Sequence, residues 1–274
     1  MIKKKINKHS SILKRRIAGK KTFRKMQATG NPTLLSVTEC LQQVIEDDFS
    51  PEDRESFRRA ESYRKGLLDS TEVVDYSVFG LHQKSTVGKV CRQATSPSVW
   101  ARLIFALVKH LSAAKVLEIG TNLGVSGSYI LEAMRPVAAG QFITMEGMPL
   151  YVDIASRQFA TIVPEERFEV ILGKYEDTFG PMVANNEGFD LLFIDGNHQK
   201  EPTQQYFREL LSRSTRPSVW VFDDINWTEG MVEAWDNIKQ DVAVAYSLDL
   251  YKLGIVIVDP SVKAAKHFSY HLSY

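Results

Sequence analysis

Cysteine and long apolar runs are both scarce in this chain of 274 residues. The two cysteines, Cys40 and Cys91, have no spacing typical of a metal or redox motif, which predicts free buried thiols in a reducing, cytoplasmic compartment. The longest purely apolar run covers only residues 103–108. Since a bilayer requires roughly 20 apolar residues, no transmembrane helix is expected.

Proline, glycine and aromatic residues show no excess of the kind that favours disorder. The chain is 44% hydrophobic and 24% charged, as in ordinary globular proteins. Its length suits one large α/β domain with an appendage. We expect a basic tail over residues 1–30, a helical cap or irregular segment over 31–96, and an α/β domain over 97–274. Within the cap, Ser50 and Pro51 predict the N-cap and first residue of a helix.

Acidic residues are absent from residues 1–25, which hold eleven lysines and arginines. Because the whole chain carries a formal charge of +1, the remainder carries about −10. No apolar core of about 7 to 15 residues follows these charges, so a secretory signal is not expected. One interpretation is a solvated, poorly ordered tail. The alternative is a basic helix that contacts an anionic membrane surface or partner, since Ile6, Leu13 and Ile17 fall loosely at helical spacing.

From residue 115 onward, short apolar runs alternate with helical segments, a pattern typical of parallel βαβ units. Only residues 249–252 separate the last two runs, which is too short for a parallel crossover and predicts an antiparallel hairpin. The expected fold class is therefore α/β, with a mostly parallel sheet of seven strands. The predicted strands are residues 115–119, 142–146, 168–172, 191–195, 219–223, 242–248 and 253–258.

A glycine-containing loop follows the first predicted strand and has the pattern ExGxxxG over residues 118–124. Glycines there let the backbone turn sharply and approach a ligand, and the start of the next helix offers free amide groups. The GxGxxG spacing of dinucleotide-binding loops is missing. The loop instead resembles motif I of the class I S-adenosylmethionine-dependent methyltransferases. The resemblance implies a Rossmann-like fold and a cofactor site that includes Glu118, Gly120, Thr121, Asn122 and Gly124.

The second predicted strand ends in an acidic residue, Glu146, 26 residues after Gly120. A carboxylate at such a strand end can accept hydrogen bonds from both ribose hydroxyls, so Glu146 is expected to bind the cofactor ribose. After the third strand, Gly173 stands where the family receives the adenine. Lys174 replaces the acid that usually lies beside that glycine.

Two further strands also end in acidic residues. Residues 189–198 read FDLLFIDGNH and residues 221–224 read VFDD, which resemble segments of small-molecule O-methyltransferases. Asp195, Asp223 and Asp224 should meet at one edge of the sheet, where like charges repel unless a cation neutralises them. The resemblance to catechol-type enzymes implies a Mg²⁺ site formed by these three residues. The alternative, seen in metal-free relatives, is that they cap loops or bind the methionine amine, which would place Asp195 in the cofactor site.

His198 lies three residues after Asp195, where the catechol-type enzymes carry a lysine general base. A neutral imidazole can accept a hydroxyl proton near pH 7. His198 and Asp195 are therefore the candidate catalytic residues. The alternative for His198 is to cap the following helix. Trp227 and Met231 either wall an aromatic acceptor or pack beneath the hairpin.

The function implied by the resemblance is transfer of a methyl group from S-adenosylmethionine to a hydroxyl of a small molecule. Two alternatives stay open: an aminopropyltransferase built on the same sheet, and a module that binds the cofactor without catalysis. Nucleic acid is not expected as the acceptor, because the α/β domain is acidic and phosphate binding requires a basic face. Assembly as a homo-oligomer is also left open.

Overall fold

The computed structural model describes residues 2–262 and 265–272, with side chains from residue 12 onward. Contacts divide the chain into two compact units, one formed by Met1–Ile45 with Gly188–Tyr274 and the other by Glu46–Glu187. We call these the terminal unit and the central unit. The chain passes between them twice, at residues 45–46 within the predicted cap and at residues 187–188 within the predicted α/β domain.

The described residues form ten α-helices and ten strands. The helices are α1 (Ile2–Gln27), α2 (Pro32–Glu46), α3 (Pro51–Leu68), α4 (Val87–Ala94), α5 (Ser98–His110), α6 (Val125–Met134), α7 (Pro149–Phe159), α8 (Tyr175–Asn185), α9 (Lys200–Leu211) and α10 (Glu229–Ile238). The strands are β1 (Val73–Asp75), β2 (Lys84–Thr86), β3 (Lys115–Ile119), β4 (Gln141–Glu146), β5 (Phe168–Leu172), β6 (Leu191–Ile194), β7 (Ser218–Phe222), β8 (Val244–Asp249), β9 (Gly254–Val258) and β10 (Lys266–Ser269).

The central unit contains three parallel strands in the spatial order β3, β4, β5. Leu117 pairs with Ile143, and Thr144 pairs with Val170. Helices α6 and α7 connect these strands along the chain, so all three strands end at the same edge. The first three predicted strands are confirmed, and the residues that follow β3, β4 and β5 are neighbours in space.

Helix α3 of the central unit begins as the sequence predicts. The Ser50 hydroxyl accepts a hydrogen bond from the Asp53 amide, and the Asp53 carboxylate accepts one from the Ser50 amide. Pro51 occupies the first helical position, where its missing amide hydrogen costs nothing. The buried Asp53 carboxylate also binds the Lys109 ammonium of α5 at 2.6 Å. The capping box therefore also joins α3 to α5.

The terminal unit holds the other main strands in the spatial order β10, β8, β9, β7, β6. Strands β6 and β7 are parallel, whereas β9 runs antiparallel to both β7 and β8. The predicted C-terminal hairpin and the Rossmann-like, mostly parallel α/β class are confirmed. Strand β10, parallel to β8, is additional to the seven predicted strands. It escaped prediction because its four residues are mostly exposed and carry no apolar alternation.

Helix α1 packs within the terminal unit. Ile12 and Met26 are buried, and the Arg15 guanidinium donates to the Asp249 carboxylate at 2.5 and 2.9 Å. The Phe23 ring meets Tyr270 edge-on, with 4.9 Å between the ring centroids. The interpretation of this segment as a solvated, poorly ordered tail is therefore wrong for residues 12–27.

The cysteines agree with their prediction, since Cys40 and Cys91 are buried free thiols. Burial raises the pKa of both thiols, which disfavours the reactive thiolate. Across residues 2–262 and 265–272, no helix is both long and apolar enough to cross a bilayer.

Candidate active site

The predicted glycine loop connects β3 to α6 in the central unit. Gly120 has a φ of 107°, and the Gly120 and Thr121 amides both donate to the Met145 carbonyl oxygen, at 3.2 and 3.1 Å. A φ of this value is rarely open to residues with a side chain. Glycine is therefore required at residue 120 to lay the loop against the end of β4.

Gly124 has a different reason to be glycine. Its φ is 73°, and a Cβ there would lie 2.9 Å from the Ala155 Cβ of α7. Real Cβ atoms essentially never approach so closely. Gly124 thus permits the packing of α6 on α7. The sequence motif had predicted a contact with the cofactor for this residue.

Glu118 is fully buried beneath the loop. One carboxylate oxygen accepts a 2.5 Å hydrogen bond from the Ser126 hydroxyl, and the other accepts a 2.8 Å bond from the Thr144 hydroxyl. Burial raises the pKa of Glu118 to about 7, and these two hydrogen bonds oppose the shift. The Glu118 side chain is closed to solvent, which leaves no room for the predicted contact with cofactor. Its hydrogen bonds to Ser126 and Thr144 instead position the start of α6 against β4.

Replacing Glu118 by glutamine should change how stability depends on pH. The folded-state pKa of about 7 exceeds the ordinary value of 4.5, so the stability that Glu118 contributes is complete below about pH 4.5 and is lost as pH rises through 7. Glutamine does not ionise. The free energy of unfolding of Glu118→Gln, relative to wild type, should therefore rise by roughly 2 to 3 kcal/mol between pH 5 and pH 8. Urea unfolding at both pH values measures this difference, and a difference independent of pH would contradict the assignment.

Glu146 lies at the end of β4, next to the glycine loop. Its carboxylate accepts 2.8 Å hydrogen bonds from the Asn122 amide and the Met148 amide, one to each oxygen. Burial raises its pKa, while these backbone hydrogen bonds oppose the shift. The Gly147 amide also lowers the pKa of this carboxylate as a backbone donor, and its two oxygens together keep acceptor capacity for a further donor. The carboxylate can therefore hold the loop and accept a hydroxyl at the same time.

Gly173 lies beside Glu146, because its amide donates to the Glu146 carbonyl oxygen at 2.9 Å. Its φ is 146°, which again favours glycine, and a Cβ there would lie 2.6 Å from the Thr178 methyl carbon. The structure thus brings together Gly120, Thr121, Asn122, Glu146 and Gly173 at one end of β3, β4 and β5. We call these five residues the loop cluster.

Residues that the sequence analysis missed support the loop cluster. The Tyr63 hydroxyl donates to the Leu123 carbonyl oxygen at 2.5 Å, and the Asn122 side chain donates to the Ala94 carbonyl oxygen at 2.9 Å. A Cβ at Gly147 would lie 2.8 Å from the Phe79 ring. All three contacts come from residues 46–96, where no motif in the sequence signals them.

The terminal unit holds the second set of predicted site residues. Lys252 follows β8, and its ammonium donates to both oxygens of Asp223, at 2.7 and 2.9 Å, and to one oxygen of Asp224, at 2.8 Å. The ammonium thus binds both carboxylates at once. Burial alone would lower the pKa of Lys252, but the two carboxylates raise it above the ordinary value. The ammonium therefore neutralises part of the charge that predicted a metal.

The acidic residues do not fit Mg²⁺ in this arrangement. The ion takes about six oxygen ligands at roughly 2.0 to 2.1 Å, whereas the Lys252 ammonium already binds the oxygens of Asp223 and Asp224. Among the residues described, no group of three or more histidine, cysteine or acidic side chains is placed to hold a metal. The metal site predicted at Asp195, Asp223 and Asp224 is thus not formed among the described residues, where Lys252 supplies the positive charge beside Asp223 and Asp224.

His198 lies close to the same acidic residues. Its Nε2 is 3.5 Å from an Asp195 carboxylate oxygen, and its ring meets Trp227 edge-on at a centroid distance of 5.3 Å. Burial lowers the pKa of His198 below its ordinary value, although Asp223 and Asp224 act to raise it. The imidazole is therefore neutral near pH 7, as a proton acceptor must be.

Burial and helix capping distinguish between the two roles predicted for His198, Trp227 and Met231. Helix α9 has Gln199, not His198, at its N-cap position. Met231 is buried in α10, with its sulfur 3.5 Å from the Thr203 hydroxyl. Trp227 is 61% exposed. Met231 is thus a packing residue, and Trp227 is the aromatic side chain open to a small molecule beside His198.

Comparison with known proteins agrees with these features. Residues 117–225 match the family model described as a methyltransferase domain. Proteins named "Putative O-methyltransferase" from Mycobacterium sp. strain JLS and from Mycolicibacterium vanbaalenii are each 34% identical over 111 and 110 residues, which is 40% of this chain. These alignments cover 48% and 46% of the relatives, so the chain spans about half their length.

Solved structures extend the likeness in fold. An O-methyltransferase from Bacillus cereus, in complex with SAH, matches with a TM-score of 0.56 and 21% identity, covering 79% of this chain and 96% of that one. The O-methyltransferase TomG from Streptomyces achromogenes, in complex with SAM, has a TM-score of 0.55 and 19% identity, covering 75% and 90%. The predicted methyltransferase resemblance is thus confirmed for residues 117–225, and the predicted fold is confirmed more widely.

Proposed function

We propose that this chain, whose residues 117–225 match the model of a methyltransferase domain, binds S-adenosylmethionine and methylates a hydroxyl oxygen of a small molecule. The observation that carries the proposal is the loop cluster, in which Glu146 and the Asn122 amide are joined at the carboxyl ends of β3 and β4. Ligands of α/β folds bind at this edge. The mycobacterial relatives are named putative O-methyltransferases and the two solved structures are O-methyltransferases, which supports oxygen as the methyl acceptor.

The proposed cofactor contacts divide among the residues of the loop cluster. Gly120 and Thr121 hold the loop against the end of β4, and the missing side chain of Gly120 lets the methionine portion approach the backbone. The remaining acceptor capacity of the Glu146 carboxylate takes hydrogen bonds from the ribose hydroxyls. The exposed edge beside Gly173 receives the adenine, and Phe79 lies next to Gly147 at the same edge.

The proposed transfer step needs the acceptor oxygen aligned with the methyl carbon and the proton of the acceptor hydroxyl removed. Bound S-adenosylmethionine supplies an electrophilic methyl carbon on a positively charged sulfur. The acceptor oxygen forms a bond to that carbon as the bond to sulfur breaks, and the sulfur keeps the electron pair. The ring nitrogen of His198 that does not face Asp195 takes the hydroxyl proton, and Asp195, 3.5 Å from Nε2, stabilises the resulting imidazolium. The exposed Trp227 beside His198 offers an apolar face for the acceptor.

Two alternatives use the same cofactor site. An aminopropyltransferase would transfer a different group from the sulfur, and a binding module would transfer none. Incubation with S-adenosylmethionine carrying a labelled methyl group, together with a mixture of small phenols and alcohols, separates them. We expect a labelled ether and S-adenosylhomocysteine as products. Binding without either product would favour the module, and transfer only from the decarboxylated cofactor would favour the aminopropyltransferase.

We further propose that the exposed face of α1 contacts an anionic membrane surface from the cytoplasmic side. Leu13 and Ile17 are 60% and 77% exposed, and the exposed Lys14, Lys20 and Lys21 lie around them. Apolar residues within a basic helix favour peripheral binding to acidic lipid. Each basic residue contributes about 1 kcal/mol near such a surface, so binding should fall steeply with salt.

Sedimentation with lipid vesicles tests the contact. We expect wild-type protein to sediment with phosphatidylserine-containing vesicles and to stay in solution with phosphatidylcholine alone. Exchange of Leu13 and Ile17 for serine should reduce binding severalfold, while the matched change of the exposed Leu172 to serine should not. Equal binding to both lipids, or none to either, would contradict the proposal.

A further inference from the structure

We propose that the ammonium of Lys252 is a built-in replacement for the divalent cation of the catechol-type resemblance, so that the Asp223–Asp224 pair binds no metal while Lys252 is present. The geometry carries this inference. The ammonium lies 2.7 to 2.9 Å from three carboxylate oxygens, two of Asp223 and one of Asp224. Lys252 thus acts as a positioning residue for the acidic pair.

The main chain holds Lys252 over the pair. The Ile225 amide donates to the Lys252 carbonyl oxygen at 3.1 Å, and the Asn226 side chain donates to the Tyr251 carbonyl oxygen at 2.7 Å. The segment after β7 is thereby fixed to the loop between β8 and β9. These two hydrogen bonds fix the main chain of Lys252 beside the acidic pair, so that its side chain starts from a defined position.

Charge and burial explain why the lysine is needed. The Asp223 side chain is only 8% exposed and that of Asp224 is 32% exposed, and both carboxylates contact the Lys252 ammonium. Two adjacent carboxylates in such a place require a positive partner. A divalent ion and an ammonium cannot share the same oxygens, because like charges a few ångströms apart repel strongly.

Loss of the ammonium should turn the pair into a metal site. In Lys252→Met the apolar stem remains, and two uncompensated carboxylates offer the hard oxygen ligands that Mg²⁺ and Mn²⁺ prefer. In Lys252→Arg the positive charge remains. Lys239, which pairs with Asp236 at 2.6 Å in the same unit, provides the matched control.

Titration of the full-length protein with Mn²⁺, followed by electron paramagnetic resonance, tests the inference. We expect wild type, Lys252→Arg and Lys239→Met to bind Mn²⁺ more weakly than about 1 mM, and Lys252→Met to bind at least roughly tenfold more tightly. Adding Asp224→Asn to Lys252→Met should remove the gain. Lys252→Gln serves as the second variant, and far-UV circular dichroism establishes that each protein is folded.

Two results would overturn the inference. The first is saturable Mn²⁺ binding by wild type that Asp224→Asn abolishes. The second is folded Lys252→Met and Lys252→Gln proteins that bind Mn²⁺ no better than wild type. If both variants fail to fold, the wild-type titration alone decides.

The consequence for turnover rests on the proposed methyl transfer. Wild-type transfer should be unchanged by excess chelator, and loss of transfer that Mg²⁺ restores would overturn the role of Lys252. Absence of any transfer under all conditions would instead count against the proposed function. The Mn²⁺ titration stays informative in that case, because it needs neither cofactor nor acceptor.

Discussion

Gly120→Val is expected to abolish binding of S-adenosylmethionine. The native φ of 107° is strained for any residue with a Cβ, and a branched side chain there enters the space proposed for the methionine portion. Affinity should fall by about a hundredfold or more, equivalent to roughly 3 kcal/mol. Isothermal titration measures the change directly.

Controls separate lost binding from lost folding. Gly180→Val, in α8, is the matched substitution, since a Cβ there meets no atom within 4 Å. It should leave affinity unchanged. Gly120→Ala adds the smallest possible side chain and should weaken binding less than valine does. A folded Gly120→Val protein that keeps wild-type affinity would remove the glycine loop from the cofactor site.

His198→Ala is expected to lower turnover by roughly a hundred- to ten-thousandfold at neutral pH, the usual contribution of a general base. Burial holds the pKa of His198 below 6.5, so wild-type turnover should be nearly constant above that pH and should fall as acid protonates the imidazole. In the variant, turnover should recover partly at high pH, where the acceptor hydroxyl ionises unaided.

The exposed His110 at the end of α5 supplies the matched control, and His110→Ala should keep the wild-type pH profile. Substrate affinity should change little in His198→Ala, because the imidazole acts on the proton in the transition state. Turnover of His198→Ala equal to wild type at pH 7 would exclude this residue as the base.

Features set by local sequence were the ones that could be predicted. The capping box at Ser50 and Asp53 involves residues three apart, and a four-residue connection allows only an antiparallel hairpin. Glu146 was placed correctly at the end of β4, because strand ends follow from the alternation of apolar runs and helices.

Features set by partners far along the chain could not be predicted. Lys252 lies 28 residues from Asp224, and only the antiparallel pairing of β7 with β9 brings its ammonium to the acidic pair. The sequence predicts repulsion among the strand-end carboxylates, but it does not predict whether a metal ion or a lysine neutralises them. Glu118 and Gly124 likewise matched a ligand motif, whereas burial and the approach of Ala155 give them structural roles.

The N-terminal segment shows the same limit. Its eleven basic residues suggested a solvated, poorly ordered tail or a basic helix, but not the ion pair of Arg15 with Asp249 or the contact of Phe23 with Tyr270. The basic residues of α1 predict that one face is exposed to solvent, but they do not predict which residues of the opposite face are buried.

Calorimetric titration of the wild-type protein and of Glu146→Ala with S-adenosylmethionine and S-adenosylhomocysteine tests the central claim most directly. We expect one site per wild-type chain for both compounds. Glu146→Ala should weaken both by roughly 1 to 3 kcal/mol, since it removes hydrogen bonds to a charged acceptor and releases the Asn122 amide from the loop. Absence of binding to wild type, or an affinity unchanged by Glu146→Ala, would contradict the account.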